Sequence, residues 1–404
     1  MMTRFKSAQL GLNFSFAEIL AMLLIGGQIA IYVFMWFQLL GNPSLKTMDF
    51  VSFYAVGRLI RAGEYGQIYD FESEAVLQRS IVGESYGDPL VFNHPPHVTP
   101  LLALIASDDY VRAYIYWSAV RLLVALICME LIRRFLARSG FGRFHAILGA
   151  LGGITFFPIF IGLLGGQDTL FTLLGLLIWM FALIKRDEIS AGFGLAFATL
   201  SPPIAGALAL PLLASRRRAG IWFIVGSLGL AVYSFLLVGV QGIRDLAGLL
   251  FVSSQGSYYG FNWFAMYNLL GTLVRAFPNV SMDAIRSIVW IATFLSILVM
   301  CVYWWAKRGG LDVKHIGITT VAGIFTAPHL HFHGLSFLLL PLISMITMLH
   351  FRGNKSTALV LIPVISSIQV IILFLLPDLS YASAFLLMLA MLIGLIVLKP
   401  SATQ

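Results

Sequence analysis

Four short polar clusters interrupt an otherwise apolar chain, and each carries groups able to move a proton or bind an anion. Asp49 stands in Thr47-Met48-Asp49-Phe50 with Arg58 and Arg61 downstream. A carboxylate at a membrane boundary can take the proton of a hydroxyl as a general base. It can equally cap the helix that follows it. The two arginines suit either a phosphate or lipid headgroups. His94 and His97 lie in Phe92-Asn93-His94-Pro95-Pro96-His97. Gly165-Gly166-Gln167-Asp168 precedes an apolar run, so Asp168 is a candidate for chemistry or for a helix cap, and Gln167 for a bond to a neighbouring helix. The last cluster, Thr326 to His333, holds His329, His331 and His333. These share a face only on an extended backbone, where His94 and His97 could add metal ligands, but no acidic residue is interleaved. Donation to a phosphate or to helix-end carbonyls fits them better, and no metal or other cofactor is expected.

The elements that position these groups are membrane helices. Of the 404 residues, 59% are hydrophobic and 11% charged, with a mean hydropathy of +0.90, against roughly 25% charged in soluble domains. Runs of about 18 or more apolar residues recur along the whole length. The expected spans are 17–40, 111–131, 145–163, 168–185, 220–240, 283–305, 315–327, 335–350, 357–376 and 381–398. No soluble domain can be separated, so residues 1–404 form one integral membrane unit. Cys128 and Cys301 both fall in apolar runs and read as buried small hydrophobes.

Charge orients the bundle. With the N-terminus inside, 17 of the 26 basic residues are cytoplasmic, from Arg4 and Lys6 through Arg216-Arg217-Arg218 to Arg308 and Lys399. The opposite side takes 13 of the 18 acids, seven of them between Asp49 and Asp88. This bias predicts that both termini are cytoplasmic. It also assigns the high pI to topology and anionic lipids, not to nucleic acid. The first apolar run is too long for a cleaved signal and reads as a retained anchor. All four clusters then face the external side, where ionisable groups at membrane depth are functional candidates by default.

Two segments depart from simple spans. Residues 41–110 form the one large hydrophilic loop. In it Phe50, Phe53, Val56, Leu59 and Ile60 share one helical arc and Tyr54, Arg58 and Arg61 the other, which predicts a helix lying in the membrane interface. A second structured piece is expected over Phe71 to Ser80, and an irregular stretch from Gly83 to Pro96. Residues 190–214 have cytoplasmic charge on both flanks and Ser201-Pro202-Pro203 between them, which predicts a broken two-helix hairpin lining a cavity. There is no internal repeat, Walker loop or dinucleotide-binding glycine pattern.

The order of these features resembles glycosyltransferase family 87 from about residue 47 to 345. The markers are Asp49 with Phe53-Tyr54, Gly63 through Ile68-Tyr69-Asp70, Phe92 with Pro95-Pro96, Gly166-Gln167-Asp168, and the Ala191-Gly192 to Pro202-Pro203 hairpin with its Arg216-Arg217-Arg218 exit. Asn268-Leu269-Leu270-Gly271 and Pro328 with His331-Phe332-His333 follow. The resemblance implies an all-α polytopic membrane protein of the GT-C fold, with about ten full spans plus the broken hairpin. It further implies transfer of a sugar, mannose first and arabinose second, from a polyprenyl phosphate to a lipid-linked or glycan acceptor. Asp49 would be the base and the anomeric carbon would invert. Arg58 or Arg61 with one of His329, His331 and His333 would hold the phosphate. The setting would be a bacterial plasma membrane with the site on its external face. Two residues depart from the family pattern: Ser201 replaces a lysine before the hairpin proline, and His94 an aromatic residue.

Two rival classes use the same features. A lipid or glycolipid transporter needs the cavity, the broken hairpin and the histidines but no base. A non-catalytic subunit of the same fold accounts for the missing lysine.

Overall fold

The computed structural model describes residues 14–87, 89–254, 262–307 and 310–398. Arg4, Lys6, Asp88, Arg308 and Lys399 of the charge pattern lie outside the described residues. Every regular element among them is helical. Among the described residues, seven helical stretches are long and apolar enough to cross a bilayer: α1 (Phe16–Leu40), α5 (Tyr110–Arg138), α11 (Arg217–Ser254, apolar through Val252), α13 (Met282–Ala306), Phe332–Phe351 ending in α15 (Leu339–Phe351), α16 (Lys355–Leu375) and Pro377–Val397 containing α17 (Ser380–Val397). The protein is therefore an all-α, multi-pass membrane protein.

Of the ten expected spans, seven have this length and composition among the described residues, and an eighth does if a bent pair counts as one. The stretch 145–163 is a bent pair, α6 (Arg143–Ile154) and α7 (Phe157–Gly165), meeting at 48°. Pro158 in the first turn of α7 supplies no N–H, and the groups freed at the break find partners on neighbouring helices. The Thr155 carbonyl accepts from Tyr32 Oη of α1 at 3.0 Å and Ser366 Oγ of α16 at 3.1 Å, and the same serine oxygen accepts the Phe157 N–H at 2.9 Å. Two further expected spans, α8 (Thr169–Ile184) and α14 (Val313–Thr326), have 16 and 14 residues. At 1.5 Å per residue they reach about 24 and 21 Å, short of a hydrocarbon core of about 30 Å. Both are buried along nearly their whole length. A helix wrapped in protein need not match the bilayer, and lipid contact falls instead to the exposed faces of α1, α11 and α13.

The broken hairpin forms as α9 (Glu188–Phe197) and α10 (Pro202–Ser215), separated by a short turn and Ser201. Gly194 packs so tightly on α8 that a Cβ there would lie 2.7 Å from Trp179 N, while α10 packs on α13 and α14. The cleft beside Tyr69 and Asp70, described below, is not lined by hairpin residues.

The loop 41–110 contains α2 (Phe50–Arg61), α3 (Phe71–Val82) and α4 (Thr99–Ile105). Residues 83–87 and 89–95 are irregular, as the glycine and prolines predict. The expected division of α2 into a buried and a water-facing arc does not hold. From Phe50 through Gly57 every residue is buried, on both arcs, because α3, α4 and α5 close around it. Gly57 sits where a Cβ would be 2.7 Å from the Leu102 carbonyl of α4.

Candidate active site

One face of α5 builds the floor of the site. Tyr114, Trp117, Ser118 and Arg121 recur at the spacing of a single helical stripe. Tyr114 Oη donates to the Leu164 carbonyl at 2.8 Å and Trp117 Nε1 to that of Gly166 at 2.7 Å. Arg121 Nη1 donates to Gly162 O at 3.1 Å and Leu163 O at 2.7 Å. These carbonyls lie at the C-terminal end of α7, where intrahelical donors run out. Gly162 O also accepts the backbone N–H groups of Gly166 and Gln167, and a cation there meets the negative end of the helix dipole. Arg121 is fully buried, with its Nη2 on Ser118 Oγ at 3.1 Å and its guanidinium over the Trp117 ring.

The turn so held is Gly165 to Asp168. Gly166 ends α7 at φ +89°, the left-handed conformation that favours glycine. A Cβ there would also fall 2.4 Å from Phe50 Cβ, so α2 docks directly on the turn. This docking brings Asp49 to Gly165: its Oδ2 lies 3.5 Å from the position of a Cβ on that glycine. Asp49 occupies the cap position of α2, yet its side chain makes no capping bond. The same is true of Asp168 before α8. Neither carboxylate is spent on the helix that follows it.

Asp168 is buried, and its Oδ2 stands 3.0 Å from His94 Nδ1. That is ion-pair distance, but the two are not aligned for a hydrogen bond, and the oxygen has no hydrogen-bond partner. His94 packs on the rings of Phe53 and Phe92 at centroid distances of 4.8 and 5.3 Å. Its carbonyl accepts from Tyr69 Oη at 2.7 Å. The extended stretch leading to it is fastened to α3: Gln78 bonds both backbone groups of Leu90, at 2.8 and 2.6 Å, and Glu74 Oε2 accepts the Phe92 N–H at 3.0 Å. Glu74 is wholly buried, and this pushes its carboxyl well above the usual carboxylate range.

The three late histidines close the site. His331 has extended backbone, with its ring 4.6 Å from that of His329 and 6.1 Å from that of His333. His333 Nδ1 is 2.9 Å from Thr169 Oγ1, the first residue of α8, and its Cβ lies against Gly162. Asp49, Asp168, His94 and His331 all lie within electrostatic reach of His333. Burial, with His331, His333 and His94 adding to it, holds His329 well below the ordinary histidine range. Burial likewise lowers His97, against the opposing pull of Asp168. His97 has Nδ1 3.4 Å from Ser234 Oγ and a buried Nε2 without a hydrogen-bond partner. Among the described residues no three His, Cys, Asp or Glu side chains converge as a metal ligand set.

The sequence model of glycosyltransferase family 87 matches residues 92–341, more than half of the chain. The chain belongs to glycosyltransferase family 87. No curated protein and no solved structure matches it. As a multi-pass membrane glycosyltransferase it takes a sugar donor and an acceptor as substrates.

Of the transferase's expected site residues, the matched stretch contains His94, His97, Gln167, Asp168, His329, His331 and His333, whereas Asp49, Arg58 and Arg61 precede it. The fold nevertheless carries Asp49 to the histidines. Arg58 and Arg61 have other partners: Arg58 pairs with Asp108 at 3.0 Å, and Arg61 donates to the Ala106 carbonyl. Gln167 is half-buried, and its backbone N–H closes the turn onto Gly162 O at 2.9 Å. The sequence reading passed over Arg121, Trp117, Tyr114 and Thr169. The signal was present, since an arginine midway along the apolar run 111–131 is an ionisable group at membrane depth.

Proposed function

We propose that the transferase moves a sugar, mannose first among candidates, from a polyprenyl phosphate to a hydroxyl of a lipid-linked or glycan acceptor, with inversion. The observation that carries this reading is Asp49: a carboxylate with no capping duty, set against the Gly165–Asp168 turn and within electrostatic reach of His333. Asp49 takes the proton of the acceptor hydroxyl. The acceptor oxygen forms its bond to the anomeric carbon as the bond from that carbon to the phosphate oxygen breaks. The lipid phosphate leaves as an anion, so the chemistry needs no general acid.

A monophosphate also calls for modest charge compensation. Imidazole N–H groups of His331 and His333 meet it, in preference to Arg58 and Arg61, which are engaged at Asp108 and Ala106. Asp168 and His94 fix the turn and the aromatic wall beside the sugar. The charge bias of the sequence puts both termini in the cytoplasm of a bacterial plasma membrane and the site on its external face.

The test is transfer from radiolabelled polyprenyl-phosphate mannose in proteoliposomes, wild type beside Asp49→Asn. Product from the wild type alone is the expected result. Equal product from both removes Asp49 from the mechanism. No product from either, across mannose and arabinose donors, overturns the donor assignment.

A further inference from the structure

Gly239 breaks α11 at φ +68°. The part before it, residues 217–239, reaches about 34 Å at 1.5 Å per residue, enough to cross the bilayer. Its start carries Arg216-Arg217-Arg218, so the remainder, 240–254, lies at the opposite face, alongside the loop that holds Tyr69 and Asp70. In this outer segment Gln241, Arg244, Asp245 and Gly248 recur at i, i+3, i+4 and i+7, a single polar stripe. Ile243 and Leu250 are exposed on the opposite face. A helix of this kind lies in the interface, apolar side to lipid and polar side to protein or water.

The polar stripe faces Tyr69 and Asp70 across a cleft of about 420 Å³, within the range of small-ligand sites. Its chemistry discriminates among ligands. Two carboxylates, Asp70 and Asp245, outnumber one guanidinium, Arg244, so the lining disfavours an anion such as a lipid phosphate. A carboxamide and a guanidinium to donate, carboxylates to accept and an apolar patch of Leu249 and Val252 match a ring of neutral hydroxyls with a C–H face. Gln241 Nε2 already donates to Asp245 Oδ1 at 2.8 Å, which orients that pair. The cleft also adjoins the candidate active site, since Tyr69 in its wall donates to the His94 carbonyl at 2.7 Å.

We propose that this cleft is a saccharide subsite holding a sugar unit of the acceptor other than the one that reacts. The proposal rests on the glycosyl-transfer reading above, and its test separates the two. Gly248 supplies a clean variant: a Cβ added there meets nothing within 4 Å, so Gly248→Leu fills the cleft without forcing the backbone. Arg244→Gln removes the charge.

Initial rates would be measured in proteoliposomes with polyprenyl-phosphate mannose, using octyl α-mannoside and octyl α-mannobioside as acceptors. The disaccharide is expected to show the lower KM in the wild type. Arg244→Gln should raise its KM about tenfold, the loss of roughly one charge-assisted hydrogen bond. Gly248→Leu should raise it at least as much by occluding the cleft, and both should leave the donor KM within about twofold. An unchanged disaccharide KM in both variants overturns the subsite while transfer itself stands. If the wild type transfers nothing, the reaction reading has failed, and saturation-transfer NMR with free α-mannobiose, maltose and cellobiose decides the cleft on its own. Signals present in the wild type and lost in Gly248→Leu support the subsite, and their absence from the wild type overturns it.

Discussion

His94 and Asp168 come from segments 74 positions apart and meet at 3.0 Å, with the imidazole leaning on Phe53 and Phe92 and the carboxylate sealed from solvent. The pair joins the loop 41–110 to the turn after α7, the two pieces that carry the candidate chemistry.

The two partners differ in what their loss should do. His94→Phe keeps the ring packing and gives up the ion pair, so melting temperature should hold while transfer falls about tenfold, the scale of one charge-assisted interaction. Asp168→Asn should cost more, about a hundredfold, because it alters the field at His333 and His97 as well. Parallel rate and thermal-unfolding measurements separate the cases. A His94→Phe protein that melts well below wild type would make the pair a stability element instead.

Arg121 should tolerate no replacement. Arg121→Met strands the Leu163 carbonyl, at about 1–3 kcal/mol, while Gly162 O keeps the Gly166 and Gln167 N–H groups. Arg121→Lys cannot span both carbonyls with one ammonium. Lower melting temperature and loss of transfer are expected for both. Full activity in the lysine variant would show that charge alone suffices.

Gly166→Ala imposes a methyl on Phe50 and a side chain on a left-handed residue. The conformational term alone is about 1–2 kcal/mol, and relief of the clash must push α2 off the turn. Transfer should therefore fall further than stability does. An alanine variant with wild-type rate would mean that Asp49 acts without its seat on the turn.

Two sets of groups give stability opposing pH dependences. The lowered pKa of His97 and of His329 means that the unfolded chain takes up protons near pH 6.5 while the folded one resists. Their contribution is complete above about pH 7 and declines as the pH falls. Glu74 runs the other way: with its folded pKa raised, stability declines as the pH rises above about 4.5, where the unfolded carboxyl ionises. Glu74→Gln mimics the protonated acid and can still accept from Phe92, so it should raise the melting temperature at pH 7 and leave only the histidine slope. A melting curve for Glu74→Gln that matches wild type from pH 5 to 8 would count against a neutral Glu74.

Helices and their breaks were legible because they rest on local rules. The Ser201-Pro202-Pro203 interruption and Gly83 act within a few residues of themselves and were read, whereas the break before Pro158, inside the expected span 145–163, and the short helices Thr99–Ile105 and Leu269–Ala276 were not. What misled was solvent. The run 313–326 has the composition of a span but sits inside the protein, where length is not set by lipid, and α2 has the arcs of a surface helix yet is enclosed by the loop it belongs to. In the site, Asp49, Asp168 and the histidines stood out as isolated polar residues. The partners of Arg58 and Arg61 did not, because Asp108 and Ala106 are some fifty positions away along the chain. Arg121 went unread because an arginine bonded to carbonyls leaves no complementary acid in the sequence.

The stripe on α5 reaches four consecutive carbonyl-bearing positions apart from Gly165, namely 162, 163, 164 and 166, and α2 is seated on the same turn. The proposed base, Asp49, and the turn therefore travel as one preorganised body, assembled before either substrate arrives. A lesion in that scaffold should appear as lost turnover that no excess of donor or acceptor restores, whereas a lesion in a substrate pocket yields to concentration.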